Sequence, residues 1–184
     1  MDHRKKLLFS IEQIEERVEY LAQVISKEYA GRELILIGIL KGSFIFLADL
    51  VRRLTIPVMI DFARLASYGP KSYSNGEVTI TKDIETPLAG RDVILVEDIV
   101  DSGNTLAFYS EKLKAHRPRS LKICTLIDKA QRRKKHVRID YCGFKLQEGF
   151  VVGYGLDFDE RYRSLPGIYI IEQDTSEAGG NEET

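Results

Sequence analysis

The stretch VILVEDIVDSGNTL, Val93 to Leu106, decides the reading of this chain. The apolar run Val93 to Val96, resumed at Ile99 and Val100, reads as a strand buried on both faces. The strand is expected to end at two adjacent carboxylates, Glu97 and Asp98. A third acid, Asp101, follows, and Ser102-Gly103-Asn104-Thr105 then opens a helical pattern carried by Leu106, Tyr109 and Leu113. Strand, acids, glycine turn and helix is the layout of a site at the carboxyl edge of a parallel sheet. Backbone N–H groups of Ser102 to Thr105, at a helix N-terminus, can hold a phosphate. Carboxylates beside them suit sugar hydroxyls or a hydrated metal ion. The combination implies a phosphorylated sugar; an ordinary strand–turn–helix with a polar loop is the competing reading.

Outward from this stretch, strand-like and helical patterns alternate. Ser10 to Gln13 forms a capping box, and Ile11, Ile14, Val18, Leu21 and Ile25 follow at helical spacing until Gly31. Glu33 to Leu40 is a buried-strand pattern running into Lys41-Gly42-Ser43 and a helix from Phe44 to Leu54. Further strands are expected at Val58 to Ala66, Val78 to Thr81, Leu121 to Ile127, Ile139 to Phe144, Phe150 to Tyr154 and Ile168 to Ile171. Alternation of this kind indicates an α/β fold with a mainly parallel sheet. With no repeat, linker or low-complexity insert, residues 1–173 form one domain, and the polar tail 174–184 is expected to be disordered.

A length of 184 residues suits a single domain with a sizeable core. A formal net charge of −1 gives no global field to attract nucleic acid or a membrane surface. No apolar run approaches the roughly 20 residues of a membrane span, and no signal-type segment opens the chain. Cys124 and Cys142 lie in apolar runs without metal-ligand spacing, so they read as reduced core thiols of a cytoplasmic protein. His3, His116 and His136 are scattered among charges and suggest neither a triad nor a metal site.

An acidic pair after a Val/Ile-rich strand, two apolar residues and then Asp-Ser-Gly-Asn-Thr resembles the signature of the type I phosphoribosyltransferases, which bind phosphoribosyl pyrophosphate (PRPP). The resemblance implies a parallel sheet flanked by helices, with a small hood over the site built from about 139–171 and N-terminal residues. It implies that Glu97 and Asp98 face the ribose, and that Ser102, Gly103, Asn104 and Thr105 hold the 5′-phosphate. Lys41-Gly42 then corresponds to the pyrophosphate loop, often preceded by a cis peptide. Ser67-Tyr68, leading into a polar stretch, corresponds to a lid that excludes water. Without the resemblance, the first pair is an exposed lysine at a helix start and the second a solvent-exposed connection.

Asp128-Lys129 ends another strand, and a lysine there can donate to a base carbonyl. FVVGYGLDFDERYRSLP, Phe150 to Pro166, offers a ring at Phe150 for stacking on a purine, backbone groups near Val151 for the base edge, and Arg163 for pyrophosphate. Asp157 borders the purine and suits Mg²⁺ as a hard oxygen ligand. The alternative for this motif is a core strand followed by a charged surface loop. Phe-Val-Val-Gly-Tyr with Leu-Asp and Arg-Tyr-Arg is similar to the hypoxanthine–guanine branch of the family, bacterial type.

That branch implies transfer of the phosphoribosyl group to hypoxanthine or guanine, with Asp101 as general base toward N7. Mg²⁺ is the implied cofactor, with Glu97, Asp98 and Asp157 as its ligands. Lys129 is implied to mark O6. The partners implied are PRPP and the purine, with no nucleic acid and no membrane, in a homodimer or homotetramer. Asn104 stands where a lysine is often found in relatives, which removes a charge near the phosphate. The rival reading is a nucleotide sensor binding RNA through the basic cluster Arg132 to Arg138.

Overall fold

The computed structural model describes residues 4–67 and 78–172. The chain runs β1 (Lys5–Phe9), α1 (Ile11–Glu28), β2 (Leu34–Leu40), α2 (Phe44–Arg53), β3 (Val58–Ser67), β4 (Val78–Lys82), β5 (Asp92–Val100), α3 (Asn104–Ala115), β6 (Ser120–Asp128), β7 (Tyr141–Lys145), β8 (Val151–Val152) and β9 (Ile168–Ile171). Six strands form one sheet in the order β4-β3-β2-β5-β6-β7, and β1-β9-β8 form a second. Within the larger sheet only the β3–β4 pair is antiparallel.

The unbroken apolar runs follow from burial on both faces. Leu34 and Leu36 of β2, with Ile94 and Val96 of β5, pack against α1 and α2 through Val18, Leu21, Phe46 and Leu50. The intervening Ile35, Ile37, Val93 and Leu95 pack on the other face with Leu106, Tyr109 and Leu113 of α3. Because side chains alternate along a strand, one run serves two cores. The Ser10 capping box forms as the spacing predicts, with Ser10 N–H donating to Gln13 Oε1 at 2.9 Å and Gln13 N–H to Ser10 Oγ at 3.4 Å.

Three expectations differ from the structure, and others lie outside the described residues. β5 does not stop at Glu97 and Asp98: it continues to Val100, pairing Ile99 with Ile127 and Val100 with Asp128. The strand expected over Phe150 to Tyr154 shrinks to Val151–Val152, because Gly153 (φ 98°) and Tyr154 (φ 51°) turn the backbone out of extended geometry. Tyr141–Lys145 lies in the larger sheet beside β6, so the segment from about 139 does not belong whole to the small one. The small sheet recruits Lys5–Phe9, a segment no periodicity announced, antiparallel to β9. Tyr68, the stretch to residue 77 and the tail from 173 lie outside the described residues. The small sheet docks through Phe9 stacked on Phe144 (4.0 Å between ring centroids) and Tyr154 OH donating to Asp49 on α2 at 2.5 Å.

Candidate active site

β5 delivers Glu97 and Asp98 to the carboxyl edge of the sheet, where desolvation raises the pKa of Asp98 and lifts that of Glu97 well above the ordinary carboxylate value. For Glu97 the neighbouring Asp98 adds to the rise. For Asp98, hydrogen bonds from its surroundings and the Arg163 guanidinium oppose it. Two acids held this way carry an electrostatic cost that a cation would relieve. Asp98 Oδ1 accepts the Ile99 N–H at 2.9 Å. Its other oxygen lies so close to Gly42 that a Cβ there would stand 1.7 Å away. Position 42 therefore admits no side chain while Asp98 keeps its place.

The turn after β5 is clamped from below. Gly103 has φ +78°, and a Cβ on it would meet Arg133 Cδ at 2.6 Å and the Lys135 carbonyl at 2.7 Å. The Ser102 carbonyl accepts N–H groups from Lys134 (2.8 Å) and Lys135 (3.1 Å). α3 starts at Asn104 with Gly103 as its cap, which has no side chain to occupy the first N–H groups. The Asn104 N–H reaches Ser102 Oγ at 3.4 Å. The half-exposed Asp101 carboxylate lies 3.3 Å from Arg132.

The facing wall comes from distant segments. Lys41 follows a cis peptide bond from Leu40, and its ammonium is 2.8 Å from Glu160. Arg163 donates to the Gly155 carbonyl and reaches Asp157, both at 2.8 Å, and lies 3.4 Å from Glu160. Its Nε is buried without a hydrogen-bond partner among the described residues. A cavity of about 290 Å³ joins the two walls: Lys41, Gly42, Asp157 and Arg163 on one side, Glu97, Asp98, Asp101, Ser102, Gly103 and Thr105 on the other. Asn104 does not line it. A larger cavity, about 580 Å³, opens between α3 and residues 136–140. Its charges are paired, Lys114 with Glu111, Arg138 with Asp140 and Lys122 with Glu28 outside the cavity. The smaller cavity is the one with chemistry.

Lys129, Phe150 and Val151 stand beside that cavity rather than in its wall. Lys129 is buried, and its ammonium donates to the Gly149 carbonyl at 2.6 Å. Burial lowers its pKa, with Arg132 adding to the effect and Asp101 opposing it. Phe150 meets Phe158 edge to face at 5.2 Å, and both rings keep exposed surface. Val151 pairs with Ile170, and the Phe150 carbonyl accepts the Ile171 N–H at 2.9 Å. Much of that backbone is therefore already bonded within the small sheet. Ser67 ends β3.

Among the described residues no group of three or more His, Cys, Asp or Glu side chains forms a metal cage. Glu97, Asp98 and Asp157 are thus not a preformed triad, and Asp157 also accepts the Glu160 N–H at 2.9 Å. The donors are hard oxygens, which fits Mg²⁺ taking one or two carboxylates and completing its shell with phosphate oxygens and water. Sequence reasoning passed over Glu160, Phe158 and Arg133. The first two lie inside the quoted motif, and their role shows only once the chain folds back on Lys41 and Phe150. The basic cluster is largely consumed by acids: Arg132 by Asp101, Arg133 by Asp128 and Arg138 by Asp140. This leaves the RNA-binding alternative without support.

The family model of the phosphoribosyl transferase domain matches residues 7–159, and the chain belongs to the phosphoribosyltransferase family. Its relatives narrow the branch. It is 42% identical over 168 residues to a hypoxanthine-guanine phosphoribosyltransferase of Bacillus subtilis, covering 91% of this chain and 93% of that one. A hypoxanthine phosphoribosyltransferase of Salmonella typhimurium is also 42% identical, over 91% of this chain and 96% of the relative. A crystal structure of a hypoxanthine-guanine phosphoribosyltransferase from Bacillus anthracis superposes with a TM-score of 0.88 at 43% identity, covering 93% of this chain and all of that one.

Proposed function

We propose that the chain transfers the 5-phosphoribosyl group from PRPP to hypoxanthine or guanine, giving IMP or GMP and pyrophosphate in purine salvage. The observation that carries this is the 290 Å³ cavity in which an acid pair, a clamped glycine turn and two cations meet at the sheet edge. Each part matches a part of PRPP. N–H groups of the turn 102–105 take the 5′-phosphate. Lys41 and Arg163 take the pyrophosphate, the unpartnered Arg163 Nε offering a donor to an incoming oxygen. Glu97 and Asp98 take the ribose hydroxyls. Mg²⁺, held by Glu97 and Asp98 with a further ion at Asp157, would supply neutralisation of the leaving pyrophosphate.

Asp101 lines the cavity beside the turn, and there it accepts the N7 proton as N9 attacks the anomeric carbon. Lys129 donates to O6, and the exposed face of Phe150 stacks on the purine. Two free cysteines fit a cytoplasmic location. Exposed Phe44, Met59 and Ile60 offer apolar surface for a dimer or tetramer.

The test is nucleotide formation from PRPP with hypoxanthine, guanine, xanthine or adenine in turn, with and without magnesium. IMP and GMP are expected, only with metal present. Adenine should be used about 10⁴-fold less well, since its C6 amino group leaves the Lys129 donor unpaired. Transfer to none of the four bases would overturn the reading.

A further inference from the structure

Arg133 is a cation that the proposed chemistry does not use. It does not line the 290 Å³ cavity, and its side chain is only 15% exposed. Three segments converge on its guanidinium. Nη2 pairs with the Asp128 carboxylate at the end of β6. Nη1 donates to the Val137 carbonyl at 3.1 Å. Nε donates to the Asp101 carbonyl at 3.3 Å. Its Cδ fills the space beneath Gly103 that a side chain there would need. A largely buried cation is costly unless paired and hydrogen-bonded, and this one has a carboxylate and two carbonyls. A guanidinium donates from three separate nitrogens held in one rigid plane, so it reaches acceptors set farther apart than those the single nitrogen of a lysine ammonium can bridge.

We propose that Arg133 is the positioning residue of the phosphate turn. By holding the Asp101 carbonyl it fixes the orientation of the peptide plane that precedes Ser102, and so the direction of the N–H groups beyond. The same bond fixes the backbone from which the Asp101 carboxylate projects. Lys134 and Lys135 extend the clamp by donating their N–H groups to the Ser102 carbonyl, and the Lys129 N–H donates to the Val100 carbonyl at 2.9 Å. The segment that presents Lys129 and the turn that takes the 5′-phosphate thus form one bonded unit, in which Arg133 holds the Asp101 carbonyl and Arg132 pairs with the Asp101 carboxylate. The inference rests on the proposed reaction for its kinetic consequence and on the turn geometry for its binding consequence.

Arg133→Met, which keeps much of the volume and removes all three bonds, is the deciding variant in the full chain. A displaced turn should raise KM for PRPP at least about tenfold and lower the single-turnover rate about 10²-fold, the scale of an ångström's misplacement. KM for hypoxanthine should stay within about twofold of the parent, and millimolar guanidinium should restore part of the rate. Arg133→Lys should recover little. Asp128→Asn, which leaves the carbonyl bonds in place, should change the same parameters in the same direction by less, and it decides the matter if Arg133→Met does not fold. PRPP affinity measured by calorimetry separates this inference from the reaction. A parent that transfers nothing but binds PRPP, with weaker binding in the variants, upholds the clamp while the catalytic reading falls. Variants that lose thermal stability yet keep parental PRPP affinity and rate would overturn it.

Discussion

On one side of the cavity the turn 101–105 hangs on buried or backbone bonds: Arg133 to Asp101, Lys134 and Lys135 to Ser102, Gly103 against Arg133. On the other side Lys41 and Arg163 share Glu160, a carboxylate whose side chain is 63% exposed. Bonds of the first kind resist exchange because breaking them leaves buried polar groups unpaired. Ion pairs of the second kind are worth little in water and yield to a better anion. In the proposed reading, the wall that takes the phosphate that stays attached is thus built to stay still. In the same reading, the wall facing the departing pyrophosphate is built from contacts that can swap. In the proposed reading Glu160 competes with pyrophosphate oxygens for these two cations, which hold its pKa below the ordinary carboxylate value.

The largest effect expected from disturbing the fixed wall comes from Asp101→Asn. The amide keeps the shape, and Arg133 still holds the backbone carbonyl, but it cannot accept the N7 proton. The single-turnover rate should fall by roughly 10²–10⁴ with PRPP affinity nearly unchanged. This separates the acid from the frame that carries it, since the clamp variants weaken PRPP binding and this one does not. A near-parental rate in single-turnover measurement would show that the base lies elsewhere.

How much of this contrast was legible before folding follows the same division. The fixed wall is one continuous stretch: Glu97, Asp98, Asp101, Ser102, Gly103 and Thr105 are close in sequence, so the strand–turn–helix pattern picks them out together, although it also picks out Asn104, which does not line the cavity. The strand end was misplaced because Ile99 and Val100 continue the ladder beside Ile127 and Asp128, a pairing that no local pattern encodes. The exchangeable wall joins Lys41 to Glu160, 119 residues apart. Resemblance singles out Lys41, and side-chain chemistry within the quoted motif singles out Asp157 and Arg163, whereas Glu160 has no signal beyond being an acid among arginines. Arg133 was hidden for a related reason. In a run of five residues, Gln131 to Lys135, rich in cations, nothing local distinguishes the buried one from its solvated neighbours. The strand Lys5–Phe9 went unseen because it is short and two of its residues are lysines.

Disturbing the exchangeable wall should act with the opposite sign. Glu160→Gln removes an anion that competes for Lys41 and Arg163, so PRPP and pyrophosphate should both bind about two- to fivefold more tightly, the range of an exposed pair. Where pyrophosphate release limits turnover, kcat should fall while KM for PRPP falls with it. Product-inhibition constants for pyrophosphate give the direct reading. Weaker binding of both ligands would mean that Glu160 orients the cations instead of competing for them, and the contrast between the walls would be lost.

The smallest expected effect probes a cost built into the fixed wall itself. Burial and the adjacent Asp98 raise the Glu97 pKa, so the folded chain binds this proton more tightly than the unfolded chain does. Stability contributed by the group is therefore greatest at low pH and falls as pH rises from the ordinary carboxylate value through the raised one. Above that window the folded protein carries an ionised pair that it would be more stable without. Glu97→Gln, unable to ionise, should raise Tm by about 2–4 °C at neutral pH if the cost is near 1 kcal/mol. The difference should shrink as pH is lowered into the ordinary carboxylate range, where the parent is itself protonated. Adding magnesium with PRPP should reverse the order, because the parent then gains a cation for its acids and the variant gains less. A variant less stable than the parent at neutral pH without ligand would show that Glu97 is a structural partner in the folded edge, not a charge held ready for substrate.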